Sequence, residues 1–207
     1  PPPGDGSGGG APNPFVDLPA GAGFRASARR TVRVGAQRGG TPVEDLGIVP
    51  DVPYLLSKAD IVGANDDLMA RAGEAVARLA LALAPHARAI ELWCGPGNNG
   101  GDGFIAASLL RAWGKETRLV IVGDPAHGPA DARHAWQQAR DAGVSVLPHM
   151  PDRVQADLVV DALLGLGVNR ALDGALATAV SRLNGSGLPV LAVDVPSGLH
   201  SDSGTVQ

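Results

Sequence analysis

The chain contains one cysteine, Cys94, in 207 residues, which excludes an internal disulfide, and no Cys/His spacing elsewhere suggests a zinc site. It has no strong charge of either sign. The formal net charge is -4 with a pI ≈ 5.7, so no basic field recruits nucleic acid or anionic lipid. No apolar run approaches the length of a membrane span. The N-terminus lacks the basic-then-apolar pattern of a signal peptide. A soluble protein in a reducing, cytoplasmic setting is expected, with no nucleic-acid or membrane partner.

Against these absences stands one dense motif. Ala89-Ile90-Glu91-Leu92-Trp93-Cys94 reads as a buried strand, and Phe104 to Trp113 reads as a helix. Between them, Gly95-Pro96-Gly97-Asn98-Asn99-Gly100-Gly101-Asp102-Gly103 reads as a glycine-rich turn. Such a turn exposes backbone N–H groups at the positive end of a helix dipole, where phosphates bind. Asn98, Asn99 and Asp102 add side-chain donors and acceptors, which points to a phosphorylated ligand and a cation. Cys94, at the strand end, is expected to be a buried packing residue rather than a nucleophile.

At 44% hydrophobic, the chain can bury one core, with or without a tail. Residues 1–50 form the expected tail: Pro1 to Pro14 are nearly all proline, glycine and small polar residues and are expected to be disordered. Arg25, Arg29, Arg30, Arg33 and Arg38 fit a solvated basic linker or a contact for an acidic partner. The following stretch, Val43 to Pro53 and Leu55 to Asp60, resembles the end of tail-specific (C-terminal processing) protease domains. That similarity is short, implies no protease activity, and suggests a separate origin for the N-terminal quarter.

Residues 51–207 read as one domain. Asn65-Asp66-Asp67 supplies a helix cap, with Leu68, Met69, Ala72, Val76, Leu79, Ala80 and Leu83 at helical spacing. Strands are predicted over Thr117 to Val122, Val144 to Leu147, Leu158 to Leu164 and Val190 to Val195, with helices over Ala130 to Ala142 and Leu172 to Leu183. Strands apolar on both faces and alternating with helices imply an α/β fold with a mainly parallel sheet covered on both sides. In such a sheet, ligands bind beyond the carboxyl ends of the strands. Asp161 and Asp194 interrupt two of those strands, and a buried carboxylate requires a partner. Asn99, Asp161 and Ser197 offer hard oxygens suited to a monovalent ion or magnesium. Asp194 is then the candidate acid or base. Arg170 fits either a surface helix cap or a phosphate contact. His127, His134 and His149 are expected at the surface, and His200 is a candidate for the pocket rim.

The glycine-rich motif, Asp161-Ala162-Leu163-Leu164-Gly165-Leu166-Gly167 and Asp194-Val195-Pro196-Ser197-Gly198-Leu199 together resemble the NAD(P)H-hydrate epimerase family, in the family's order, over about residues 66–207. The resemblance implies a three-layer Rossmann-like fold and interconversion of the R and S hydrates of NADH and NADPH (NADHX and NADPHX). It implies substrate contacts from Asn98, Asn99, Gly100, Gly101 and Asp102, from Gly165, Leu166, Gly167, Val168, Asn169, Arg170 and Ala171, and from Asp194. Potassium (K+) would be held by Asn99, Asp161 and Ser197, and Asp194 would carry the proton. A homodimer and a separate NAD(P)H-hydrate dehydratase domain or protein are the implied partners. The sequence departs from the family at Asp51 to Asn65, where a longer helix is usual, and at Gln207, beyond which the family continues into further strands. That second departure predicts an exposed last strand.

Two other readings fit parts of the chain. The pattern GxGxxG, with Asp124 after the second strand, also suits an NAD-dependent oxidoreductase, although no constellation for hydride transfer follows. A non-catalytic nucleotide-binding or interaction module of the same fold is the other.

Overall fold

Alternating side chains on the central strand divide the core into two. In the computed structural model, that strand, β3 (Ala89–Cys94), places Ile90, Leu92 and Cys94 in one apolar cluster and Trp93 in another. The structure describes residues 57–62, 65–166, 171–200 and 204–206, together with two short strands in the N-terminal region. Those strands, β1 (Phe15–Asp17) and β2 (Gly23–Arg25), pair antiparallel. Phe15, Val16 and Phe24 favour extended backbone, so part of the expected tail carries strand structure. The rest of residues 1–56, including the arginines from Arg29 to Arg38 and most of the protease-like stretch, lies outside the described residues.

The chain clusters into two units, Pro1–Leu55 and Leu56–Gln207. The second begins with α1 (Lys58–Val62) and α2 (Asp66–Leu83), followed by β3, α3 (Asn98–Ala112) and β4 (Glu116–Ile121). After these come α4 (Ala130–Asp141), β5 (Ser145–Val146), β6 (Leu158–Ala162), α5 (Gly174–Gly185) and β7 (Val190–Ala192). The sheet order is β5-β4-β3-β6-β7, and every pairing in it is parallel. Met69, Ala77, Phe104, Leu110 and Ala135 pack α2, α3 and α4 on one face. Ala179 and Leu183 pack α5 against Trp93 and Val159 on the other. The fold is the expected three-layer α/β architecture.

Several elements differ from expectation in ways that matter for the site. Helix α3 begins at Asn98, six residues earlier than predicted, so most of the supposed glycine turn is helix. Glycine costs about 1 kcal/mol relative to alanine inside a helix, and close packing overrides that cost here. A β-carbon on Gly103 would come within 2.7 Å of both Cys94 Sγ and Ala162 Cβ. One on Gly101 would run into the Met69 methyl. Without side chains at these positions, α3 lies directly on the sheet and on α2.

Helix α2 buries Met69, Gly73, Ala77 and Ala80, while Leu68, Leu79 and Leu83 are exposed. The predicted core face was therefore rotated: Met69 reaches α3 opposite Gly101, and the small residues Gly73, Ala77 and Ala80 let the rest of α2 approach. Asn65 starts the helix in the left-handed region (φ 49°), which asparagine tolerates. Its amide donates to Asp131 at 2.6 Å instead of capping α2. Strand β7 stops at Ala192, so Asp194 lies in the loop beyond it rather than inside a strand. Val190 in β7 is 42% exposed. Replacing Gly103 with alanine should overpack this contact and lower stability by about 1–3 kcal/mol, the usual cost of surplus volume in a tight core. Chemical denaturation would measure the loss, and Cys94→Ala in the same chain should recover part of it.

Candidate functional site

The chain winds from β3 outward through β4 to β5, then crosses back to build β6 and β7 on the other side. The reversal falls between β3 and β6, the place beyond the strand ends where sheets of this kind bind their ligands. Two segments leave these ends: Gly95–Gly97 into α3, and the loop following Ala162.

Asp161, on β6, is 5% exposed. Its Oδ1 accepts hydrogen bonds from the Ser197 hydroxyl at 2.7 Å and the Leu163 N–H at 3.1 Å. Its Oδ2 accepts the Ser197 N–H at 2.8 Å. A carboxylate has roughly four acceptor positions, so three are filled and the charge is well solvated by the protein. The Ser197 oxygen in turn accepts the Leu164 N–H at 3.1 Å. The Leu164 carbonyl accepts the Asn99 amide at 2.8 Å. Asp194 closes the loop from the far side, accepting the Leu166 N–H at 2.8 Å. Glycine in the middle lets Asp194 come this close: a β-carbon on Gly165 would sit 2.8 Å from Asp194 Oδ2, so that carboxylate would have to shift.

Thus Asn99, Asp161, Asp194 and Ser197 converge on the Leu163–Leu166 loop. At the start of α3, the first intrahelical bond runs from the Gly101 N–H to the Gly97 carbonyl at 3.0 Å. The amides of Asn98, Asn99 and Gly100 therefore precede the helical ladder and point outward from its positive end. Asn98 is exposed, whereas Gly100 and Gly101 are buried on the inner side. Asp102 is half-buried, and its Oδ1 is enclosed without a hydrogen-bond partner. Burial, followed by the negative charge of Asp194, pushes the Asp102 carboxyl up from 3.8 to about 6. Ala171 is exposed just before α5. Gly167, Val168, Asn169 and Arg170 lie outside the described residues.

The remaining sequence candidates sit elsewhere. Cys94 is fully buried, and burial reinforced by the charge of Asp161 pushes its thiol far up, so it packs and does not react. Asp124 caps a short turn: it accepts the Ala126 N–H at 2.9 Å and meets His127 Nδ1 at 2.7 Å. These bonds hold its carboxyl below the ordinary value, with the Ala126 amide the larger cause. His127, His134 and His149 are exposed. His200 begins a tight turn in which its N–H donates to the Thr205 carbonyl at 2.9 Å.

Sequence reasoning missed the buried Glu91 in β3, which accepts from Trp93 Nε1 at 3.2 Å and lies 3.3 Å from Arg118. A lone acid in an apolar strand was the available signal. It also missed Asp60, buried between α1 and α2, whose carboxylate accepts the Ser57 and Leu68 N–H groups at 2.8 and 3.0 Å. The Leu164 backbone, central to the site, has no sequence signature at all.

A parallel sheet whose winding reverses between β3 and β6, with polar side chains gathered at that switch point, defines a doubly wound α/β domain. Residues 65–207 match the family described as YjeF-related protein N-terminus, and the chain belongs to that family. It is 44% identical over 137 residues to an NAD(P)H-hydrate epimerase of Bordetella pertussis, covering 66% of this chain and 60% of the relative. It is also 44% identical over 145 residues to an NAD(P)H-hydrate epimerase of Rhodobacter capsulatus, covering 66% and 68%. A bifunctional NAD(P)H-hydrate repair enzyme of Thermofilum pendens is 38% identical over 147 residues, 28% of its length. The chain thus spans about 60% of the Bordetella relative it matches. A crystal structure of the yeast protein ynu0 shares the fold, with a TM-score of 0.61 at 22% identity, covering 77% of this chain and 68% of that one. Among the described residues, no helix is long and apolar enough to cross a membrane.

Removing the hydroxyl in Ser197→Ala deletes one bond to Asp161 and strands the Leu164 N–H. A loss of about 1–3 kcal/mol is expected for such a buried defect, read by thermal or urea unfolding, with Ser197→Thr losing less.

Proposed function

We propose that this chain is an NAD(P)H-hydrate epimerase, an isomerase that interconverts the R and S hydrates of NADH and NADPH in nicotinamide-nucleotide repair. The observation that carries this reading is the convergence of Asn99, Asp161, Asp194 and Ser197 on one loop at the switch point, in a chain 44% identical to epimerases. We assign the activity to residues 51–207 and a linker role to residues 1–50. A reducing cytoplasm is the setting this substrate implies.

The geometry supports a division of labour. The outward amides at the start of α3, with Asn98 and Asn99, bind phosphate oxygens, and the loop Gly165–Ala171, including Arg170, holds the rest of the nucleotide. These contacts lie away from the reacting ring carbon and position it, which is how binding energy reaches a distant reaction centre. The hydrated carbon lies next to the ring nitrogen, whose lone pair stabilises the cation left when the hydroxyl departs. The protein therefore has to orient the ring and manage a proton. Asp194 performs the proton transfer, since its second oxygen stays available when the first accepts the Leu166 N–H.

The donor set also suits potassium. Asn99 turns its amide hydrogens to Leu164, which leaves its oxygen for a cation. Asp161 and Ser197 add two further hard oxygens 2.7 Å apart. Such oxygens match an oxygen-preferring ion. Bound there, potassium would supply positive charge that fixes these oxygens and offsets the buried Asp161.

The oxidoreductase alternative loses support because Asp124, its ribose-binding candidate, is committed to its own turn. The bifunctional relatives support a dehydratase domain or protein as the functional partner. The exposed Leu68, Leu79 and Leu83 along α2 support a homodimer.

A dehydratase specific for the S hydrate provides the assay. This chain should accelerate consumption of the R hydrate, potassium should tighten substrate binding relative to lithium, and Asp194→Asn should lower kcat by about 10²–10⁴-fold, the usual range for a lost acid–base group. Consumption no faster than spontaneous epimerisation would leave the non-catalytic module in its place.

A further inference from the structure

One buried carboxylate oxygen at the start of α3 has no donor. Asp102 stands one turn into α3, and its Oδ1 is shut off from solvent without accepting a hydrogen bond. Asp161, by contrast, has three donors, and Asp194 has the Leu166 N–H. An ionised oxygen enclosed without a donor is costly, whereas a protonated carboxyl in the same place is not. Asp102 is therefore built to hold a proton.

The surrounding charges identify its counterpart. Helix α3 packs against α2, α4 and the sheet. On α2, Asp66 is 3.5 Å from His134 of α4. Also on α4, Asp131 takes the Asn65 amide. Asp67 accepts the Ser57 hydroxyl, and Arg71 lies on the exposed side of α2. On the sheet side, the charge of Asp161 is taken up by three donors. The remaining group is Asp194, and its negative charge is the one that bears on Asp102. Two carboxyl groups in unlike surroundings are the pattern by which one can serve as acid and the other as base.

We infer that Asp102 is the proton donor of this site and that it shares a single proton with Asp194. The inference rests on the epimerase reading and adds a second acid–base residue to it. In one direction, the Asp102 carboxyl gives its proton to the hydroxyl oxygen on the hydrated ring carbon. The C–O bond breaks with its electron pair on the departing water, and the ring nitrogen lone pair forms a C=N bond. Water then adds to the other face, closing the C=N pair back onto nitrogen, and Asp194 takes the surplus proton. Transfer of that proton from Asp194 to Asp102 restores the starting state. No oxidant, reductant or further reactant is consumed.

Two measurements on the full chain test this. The first needs no substrate: carboxyl-carbon NMR should show Asp102 titrating near pH 6, and Asp194→Asn should move that midpoint down by removing the neighbouring charge. The raised value also fixes a sign for stability. With 3.8 unfolded and about 6 folded, the contribution of Asp102 to stability is fully present below pH 4 and is lost as pH rises towards 6. Asp102→Asn should abolish that loss. The second is kinetic: Asp102→Asn should lower kcat about 100-fold with KM within about threefold. It should also remove the decline in kcat as pH rises through 6, and Asp102→Glu should restore part of the rate. An Asp102 midpoint near 4, a midpoint indifferent to Asp194→Asn, or full kcat in Asp102→Asn would each overturn the inference. If Asp102 titrates as expected but the wild-type chain does not epimerise, the epimerase reading fails and the donor role falls with it, while the coupled carboxyl pair stands.

Discussion

The buried carboxylate of Asp161 is the constraint on which the site depends. Taking an ionised carboxylate out of water costs several kcal/mol, and the fold recovers that only by aiming three donors at it. Two of those donors are backbone N–H groups, so satisfying the charge fixes the paths of both loops that carry them. Ser197 then passes the constraint on through Leu164 to Asn99. Three strand ends are locked into one geometry by one negative charge. The same charge, added to burial, keeps the neighbouring Cys94 thiol protonated and inert.

That chain of bonds needs α3 to lie close to the sheet. The glycines at 101 and 103 hold it there, because any side chain at either position would collide with Met69, or with Cys94 and Ala162. Residues that weaken an isolated helix are thus required by its packing. The close approach also brings the first turn of α3, with its outward amides and Asn99, to the Leu163–Leu166 loop. The placement of that turn and the packing of the core are two consequences of one close helix–sheet approach.

The two acids of the inferred pair differ in solvation. Asp194 lies in an exposed loop and accepts an amide hydrogen bond. Asp102 is enclosed, with an oxygen that nothing satisfies. Desolvation acts on one much more than the other, and their mutual repulsion widens the difference. A proton resting on Asp102 is the outcome that requires no additional donor.

The sequence by itself determined the layer architecture, since apolar strands alternating with helices admit few folds, and β3 was legible to the residue. It also marked Asp161, Asp194, Ser197 and Asn99 as chemically unusual, because charge and amide groups stand out at the ends of apolar strands. Other features were decided only by tertiary structure. The early start of α3 was hidden because local glycine content argues for a turn, and only contact with Met69, Cys94 and Ala162 reverses that preference. The rotated face of α2 was hidden for the same reason: large leucines suggest burial, yet beyond Met69 the helix turns Gly73, Ala77 and Ala80 inward. The backbone of Leu164, the vacant oxygen of Asp102 and the coupling of Asp102 to Asp194 depend on distances across segments far apart in the chain. Residue identity announces which groups are costly to bury; the packed arrangement alone decides which of them find partners.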